Sequence, residues 1–141
     1  PTLWPEHGTP WQVNKVYYQM GFHRRRFAAL DVLMHDHGLD SPYGQWLKDW
    51  AEEPAQEQRL TTFVPCAEYF PIRDEALKAH ATQIDPDGFW FAVPMDIQAK
   101  GWPTEDYQLV LSNVPTCLPE DDLFAGVELG AEVPDSWSYS I

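Results

Sequence analysis

Apolar positions along the chain come in short blocks cut by proline and glycine. Residues 23–37 carry Phe27, Leu30 and Met34 at i, i+3 and i+7, with Leu33 widening the stripe, which predicts an amphipathic helix. Gly38 supplies a left-handed stop after it. Ser41 and Pro42 form an N-cap and first-turn pair. Tyr43, Trp46, Leu47 and Trp50 then recur at i, i+3, i+4 and i+7, the clearest helical stripe in the chain. A third helix is predicted over residues 71–84, opened by Pro71 with Asp74 and Glu75 in its first turn, and a short one over 94–100, closed by Gly101.

Strand character falls between these helices. Val13, Val16, Tyr17 and Tyr18 mark a strand within 11–22. Residues 60–64 read as a second, which Pro65 ends or places at an edge, and 107–114 as a third. Residues 85–88, Asp-Pro-Asp-Gly, are a strong turn signal. Residues 89–93 are too short to classify by period, and 51–59 read as an exposed connection. The expectation is an α/β chain with three to four helices and a few short strands. It forms one segment over 1–141, without repeats, in which 1–10 and 115–141 are mostly loop and tail.

Composition narrows the function classes. The net charge of −13 speaks against nucleic acid and against an anionic membrane surface as partners. No apolar run approaches the ~18 residues of a membrane span, and no signal peptide is visible, so a cytoplasmic location is expected. Seven Trp, six Tyr and seven Phe exceed what one small core needs, so part of this aromatic surface is expected at an interface. Cys66 and Cys117 have no metal-type spacing and are expected to be buried, reduced thiols. The chain begins Pro1-Thr2-Leu3-Trp4, which leads to the expectation of a truncated or processed piece.

No phosphate-binding glycine loop, G-x-S-x-G or H-E-x-x-H motif is present. His35 and His37 stand at i and i+2 on a helix, so their rings point to different faces and suit a polar helix end better than a shared metal. Arg24, Arg25 and Arg26 oppose the dipole at a helix start. Pairing with acids such as Asp31, an anion site, or contact with another domain could each offset that cost. His80 and Gln83, three apart on the predicted third helix, end a face that carries Ile72, Ala76 and Ala79. They are either satisfied inside a core or aimed at the hydroxyls of a polyol or sugar at a pocket edge. Trp90 and Trp102 could stack on sugar rings, although packing explains most aromatics in such a chain.

From about residue 11 to 126 the chain resembles the C-terminal part of the mycothiol S-conjugate amidase family. The matching stretches run from Pro10-Trp11 through Lys15-Val16-Tyr17-Tyr18 and Gly21-Phe22 with its Arg-rich helix, then Gln45-Trp46-Leu47. They continue through Arg73-Asp74-Glu75-Ala76-Leu77-Lys78-Ala79-His80-Ala81-Thr82-Gln83-Ile84-Asp85-Pro86, Trp102-Pro103-Thr104-Glu105-Asp106-Tyr107 and Pro119-Glu120-Asp121-Asp122-Leu123-Phe124-Ala125-Gly126. The resemblance implies part of a Rossmann-like, PIG-L type metal-dependent de-N-acylase that cleaves the amide of mycothiol conjugates in detoxification. In that family zinc is held by two His and an Asp, beside an Asp that serves as general base. The A-H-P-D-D-E and H-P-D-H motifs that carry them are absent from these residues. The resemblance therefore implies no catalytic and no metal residue in this chain; zinc would belong to an N-terminal catalytic half. These residues would complete that half's core and wall its substrate pocket, with His80 and Gln83 as substrate-binding residues. The piece alone is expected to be inactive. Two alternatives stand beside this reading: the sister N-acetylglucosaminyl-inositol deacetylase of mycothiol biosynthesis, which shares the His-Ala-Thr-Gln segment, and a non-enzymatic interaction module.

Overall fold

The structure, a computed structural model, describes residues 5–8, 10–51 and 54–128. Expectations for the first four residues and for 129–141 lie outside the described residues. The architecture is α/β. A 3-10 turn at Pro5–His7 leads to strand β1 (Lys15–Gln19), helix α1 (Arg24–Asp36), α2 (Gly44–Asp49), α3 (Pro54–Glu57), β2 (Thr62–Pro65), a 3-10 turn at Ala67–Tyr69, α4 (Phe70–Lys78), a 3-10 turn at Phe89–Phe91, α5 (Met95–Gly101) and β3 (Thr104–Ser112). The sheet is antiparallel in the order β1-β3-β2. Gln19 and Thr62 both stand opposite Tyr107, and a bulge interrupts β1 between Val16 and Tyr17. Pro65 closes β2 on the outer strand, where its missing N–H costs no ladder bond.

The core forms where the two strongest stripes meet. Phe27, Leu30 and Met34 of α1 pack with Tyr43 and Leu47, and with Val93 and Ile97 from the α5 region; Leu33, Trp46, Trp50 and Trp102 lie against this cluster. Phe27 is the hub, with ring centroids 4.8 Å from Trp46, 5.0 Å from Tyr43 and 5.3 Å from Phe22. α5 approaches α1 closely at Gly101, where a Cβ would meet the Leu30 and Leu33 side chains at 3.1 Å. Gly38 ends α1 with φ of 71°, the conformation that favours glycine.

Several boundaries differ from the sequence expectation. Ser41 accepts from the Tyr43 N–H, but the helix begins only at Gly44, so the serine caps a preliminary turn. Residues 54–57, expected to be exposed connection, include the one-turn helix α3. The predicted third helix stops at Lys78, six residues early. Its anticipated inner face is an outer one: Ile72 is 67% exposed, and Ala76 and Ala79 are exposed as well. With nothing among the described residues to pack against, that stripe gives the last turns no tertiary support, which most short helices need. Cys66 is half-buried and Cys117 exposed, and both are free, so the expectation of two buried thiols is corrected for Cys117.

Candidate functional site

A cleft of about 210 Å³ opens where the end of β1, the start of α1, α4 and the Phe89–Phe91 turn converge. One wall is aromatic: Phe22, Phe27, Tyr43, Phe89 and Trp90, with Leu30 and Leu77 beside them. Phe22 sits edge-on to Trp90 at 5.7 Å, and Phe89 edge-on to Tyr43 at 5.4 Å. Phe22, Phe89 and Trp90 are 48%, 41% and 48% exposed, so this wall is open to solvent at its rim. Burial raises the Tyr43 phenol above its ordinary range, which keeps it protonated.

The floor of the cleft is ionic. Arg26 reaches Glu105 with Nη1 at 3.3 Å from Oε2, and Gln19 reaches the same oxygen at 3.5 Å. Arg73 lies 3.8 Å from the other Glu105 oxygen, donates twice to Asp74 Oδ1 at 2.7 and 2.9 Å, and donates to Gln98 Oε1 at 3.0 Å. Its guanidinium also covers the Phe70 ring at 4.3 Å. Each element contributes by local geometry: α1 presents Arg26 from its first turn, α4 presents Arg73, and β3 holds Glu105 opposite Val64 of β2. The Arg run is thus taken apart. Arg24 donates to the carbonyls of Leu47 and Trp50, Arg25 lies over Trp102 at 5.4 Å, and Arg26 pairs with Glu105. Cys66 stands near this floor; burial, reinforced by the Glu105 charge, holds its thiol above the ordinary range, so it is a poor nucleophile.

Two further polar centres are closed. His23 caps α1 by accepting the Arg26 N–H at Nδ1, which puts the ring proton on Nε2, and Nε2 donates to Asp106 Oδ2 at 2.8 Å. Trp102 Nε1 donates to the same oxygen at 2.6 Å and Thr104 Oγ1 to the other at 2.8 Å. Across the molecule, Glu120 accepts from Lys15 at 2.6 Å, from Thr62 at 3.1 Å and from the Tyr17 hydroxyl. Lys15 also holds the Ala125 carbonyl at 2.8 Å, so residues 119–126 are tied to β1 and β2. Burial alone would push Glu120 up, but its three hydrogen bonds outweigh that and hold it below its ordinary 4.5. Burial together with the Glu120 bond raises Tyr17, and for Lys15 the bonds to Glu120 and Tyr17 outweigh burial and raise it too.

His80 and Gln83 do not share a helix face. They sit in an exposed turn after α4, where the N–H groups of Gln83 and Ile84 both donate to the His80 carbonyl, at 2.8 and 2.9 Å. Both are exposed in this chain, and neither lines the cleft. His35 and His37 each bond the carbonyl four residues back, at 2.8 Å, as a polar helix end should. Sequence reasoning missed the cleft floor and the Glu120 centre. Arg73, Glu105 and Glu120 lay inside the stretches that resemble the amidase family, which was the available signal.

Among the described residues, no group of three or more His, Cys, Asp or Glu converges as a metal site, so the donor set does not fit zinc and no step is assigned to a metal on these residues. No helix among them is long and apolar enough to cross a membrane.

No family model and no solved structure matches the chain. Curated relatives do. A mycothiol S-conjugate amidase of Streptomyces coelicolor is 60% identical over 122 residues, 86% of this chain and 42% of the amidase. A 1D-myo-inositol 2-acetamido-2-deoxy-alpha-D-glucopyranoside deacetylase of Frankia alni is 32% identical over 131 residues, 90% of this chain and 45% of the deacetylase. A deacetylase of the same description from Streptomyces avermitilis is 31% identical over 139 residues, covering 43% of its own length. The chain thus spans less than half the length of these relatives. By sequence it belongs to the family of the mycothiol S-conjugate amidase and its related deacetylases.

Proposed function

We propose that this chain is the substrate-walling and core-completing part of a zinc-dependent amidase that hydrolyses the amide of mycothiol S-conjugates in the cytoplasm. The observation that carries the reading is the gap between 60% identity to the conjugate amidase and 32% to the deacetylase over nearly the same residues. The geometry supports it: a cleft with aromatic walls and fixed polar groups is the usual form of a small-molecule site. In this reading zinc and the general base come from the rest of the enzyme, and these residues bind and orient substrate. His80 and Gln83 stand in an exposed turn and are free to bond the hydroxyls of the sugar–inositol portion.

The deacetylase reading is kept because related deacetylases also match over most of the chain. Full-length enzyme containing these residues decides between them. We expect kcat/KM for an S-conjugate to exceed that for the acetamido sugar–inositol by at least about tenfold, roughly 1.4 kcal/mol of transition-state discrimination. A reversed preference overturns the amidase reading in favour of the deacetylase, and no turnover of either substrate overturns both.

A further inference from the structure

The cleft between α1, α4 and the Phe89–Phe91 turn differs from a polyol site in the state of its polar groups. Arg26, Arg73 and Gln19 are already engaged with Glu105, and Arg73 also with Asp74 and Gln98. The charges cancel, two guanidiniums against the carboxylates of Glu105 and Asp74, so the floor offers no net attraction to an ionic ligand. What remains unsatisfied is the apolar rim of Phe22, Phe89 and Trp90. Size adds a second constraint. A cavity of about 150 Å³ holds a benzene ring, whereas sites for whole drug-sized ligands run from roughly 300 Å³ upward. At about 210 Å³ the cleft takes a flat group of one or two fused rings, too little for a conjugate with its glucosamine and inositol rings.

We propose that this cleft receives the substituent carried on the sulfur of the conjugate, and that it selects uncharged, apolar groups of one or two rings. The inference rests on the amidase reading and deepens it. The sulfur substituent is the part of such a substrate that varies, and an apolar substituent has no hydroxyls to satisfy. Edge-to-face contacts with Phe22, Phe89 and Trp90 suit a flat apolar group. The paired floor opposes a charged one, since a charge entering there would have to displace an existing ion pair.

Full-length enzyme and two probes test it: mycothiol carrying an S-methyl group and mycothiol carrying an S-naphthylmethyl group. We expect Trp90→Ala and Phe22→Ala each to lower kcat/KM for the naphthylmethyl conjugate about tenfold, the worth of one good aromatic contact with its buried area. The methyl conjugate should stay within about twofold, since a methyl group leaves most of that contact unmade. Trp90→Phe and Phe22→Leu, which keep apolar bulk, should recover most of the loss. Equal losses on both probes, with a lowered melting temperature, would mean that the cleft is filled by another part of the protein, and would overturn the proposal. Unchanged kinetics on both probes would overturn it as well. Either result would leave the amidase reading standing as long as wild-type enzyme turns over a conjugate; wild-type enzyme that hydrolyses neither probe removes that reading, and the inference with it.

Discussion

Glu105 and Asp106 are neighbours on β3, yet they face different environments. Successive side chains on a strand point to opposite faces, so one residue step separates the open cleft from a sealed interior. Asp106 is 0% exposed and is met by donors from His23, Trp102 and Thr104. The side chain of Glu105 is 24% exposed and shared between Arg26 and Arg73 at the floor of the cleft. Glu120 repeats the closed pattern elsewhere, its carboxylate held by Lys15, Tyr17 and Thr62 with both ends of the ion pair only 3% exposed. The closed carboxylates organise the fold by leaving no group free. The open one lies in the floor of a cleft that solvent reaches, paired with two guanidiniums.

Substitutions should separate these roles, and the largest effect belongs to Asp106. Asp106→Ala strands the buried His23 donor and the half-buried donors of Trp102 and Thr104, and should cost about 4 kcal/mol in urea denaturation, at 1–3 kcal/mol for each unsatisfied group with partial relaxation. A loss below about 1 kcal/mol would show that the sealed side of β3 is not sealed. Next comes Glu120. Glu120→Ala leaves Lys15 buried without its partner and should cost about 3 kcal/mol.

The Glu120 centre also has a pH signature. Its folded pKa is depressed, so its contribution is present above the unfolded value of 4.5 and is lost as pH falls through the lower folded value. Tyr17 and Lys15 are raised; their contributions are present below 10.0 and 10.5 respectively and are lost as pH climbs past the folded values. Wild-type stability should therefore fall on both sides of a plateau. Glu120→Gln should flatten the acid side, and a pH profile that matches wild type would contradict the assignment.

The smallest stability effects belong to the open side. Glu105→Gln should change stability by less than about 1 kcal/mol, as partly exposed pairs do. Gln83→Ala should leave the melting temperature unchanged, because its side chain is exposed, while raising KM for a conjugate about threefold in full-length enzyme, the loss of one modest hydrogen bond. Unaltered kinetics with a lowered melting temperature would make Gln83 a folding residue instead.

Much of the helical layer was legible in the sequence. Phe27, Leu30 and Met34 lie where their spacing put them, with Gly38 at the stop. Tyr43 and Leu47 behaved likewise. The start of β3 was not legible: the strand was expected over 107–114, and only the fold brings Arg26 and His23 to meet Glu105 and Asp106, from 79 and 83 residues away. Glu120 was hidden for the same reason, inside an acidic run that looks like loop and is loop except for its one buried carboxylate. The early end of α4 escaped because local propensity favours continuing through Ala79 and Ala81, and only the lack of anything to pack against decides otherwise. The family resemblance reached these stretches without distinguishing which charges in them are sealed and which face the open cleft.

Amide hydrogen exchange of full-length enzyme, with and without a slowly hydrolysed S-naphthylmethyl conjugate, tests most directly whether these residues wall the substrate. Slowed exchange in peptides covering residues 19–27, 80–84 and 89–91 is the expected result. Protection confined to residues outside this chain would contradict it.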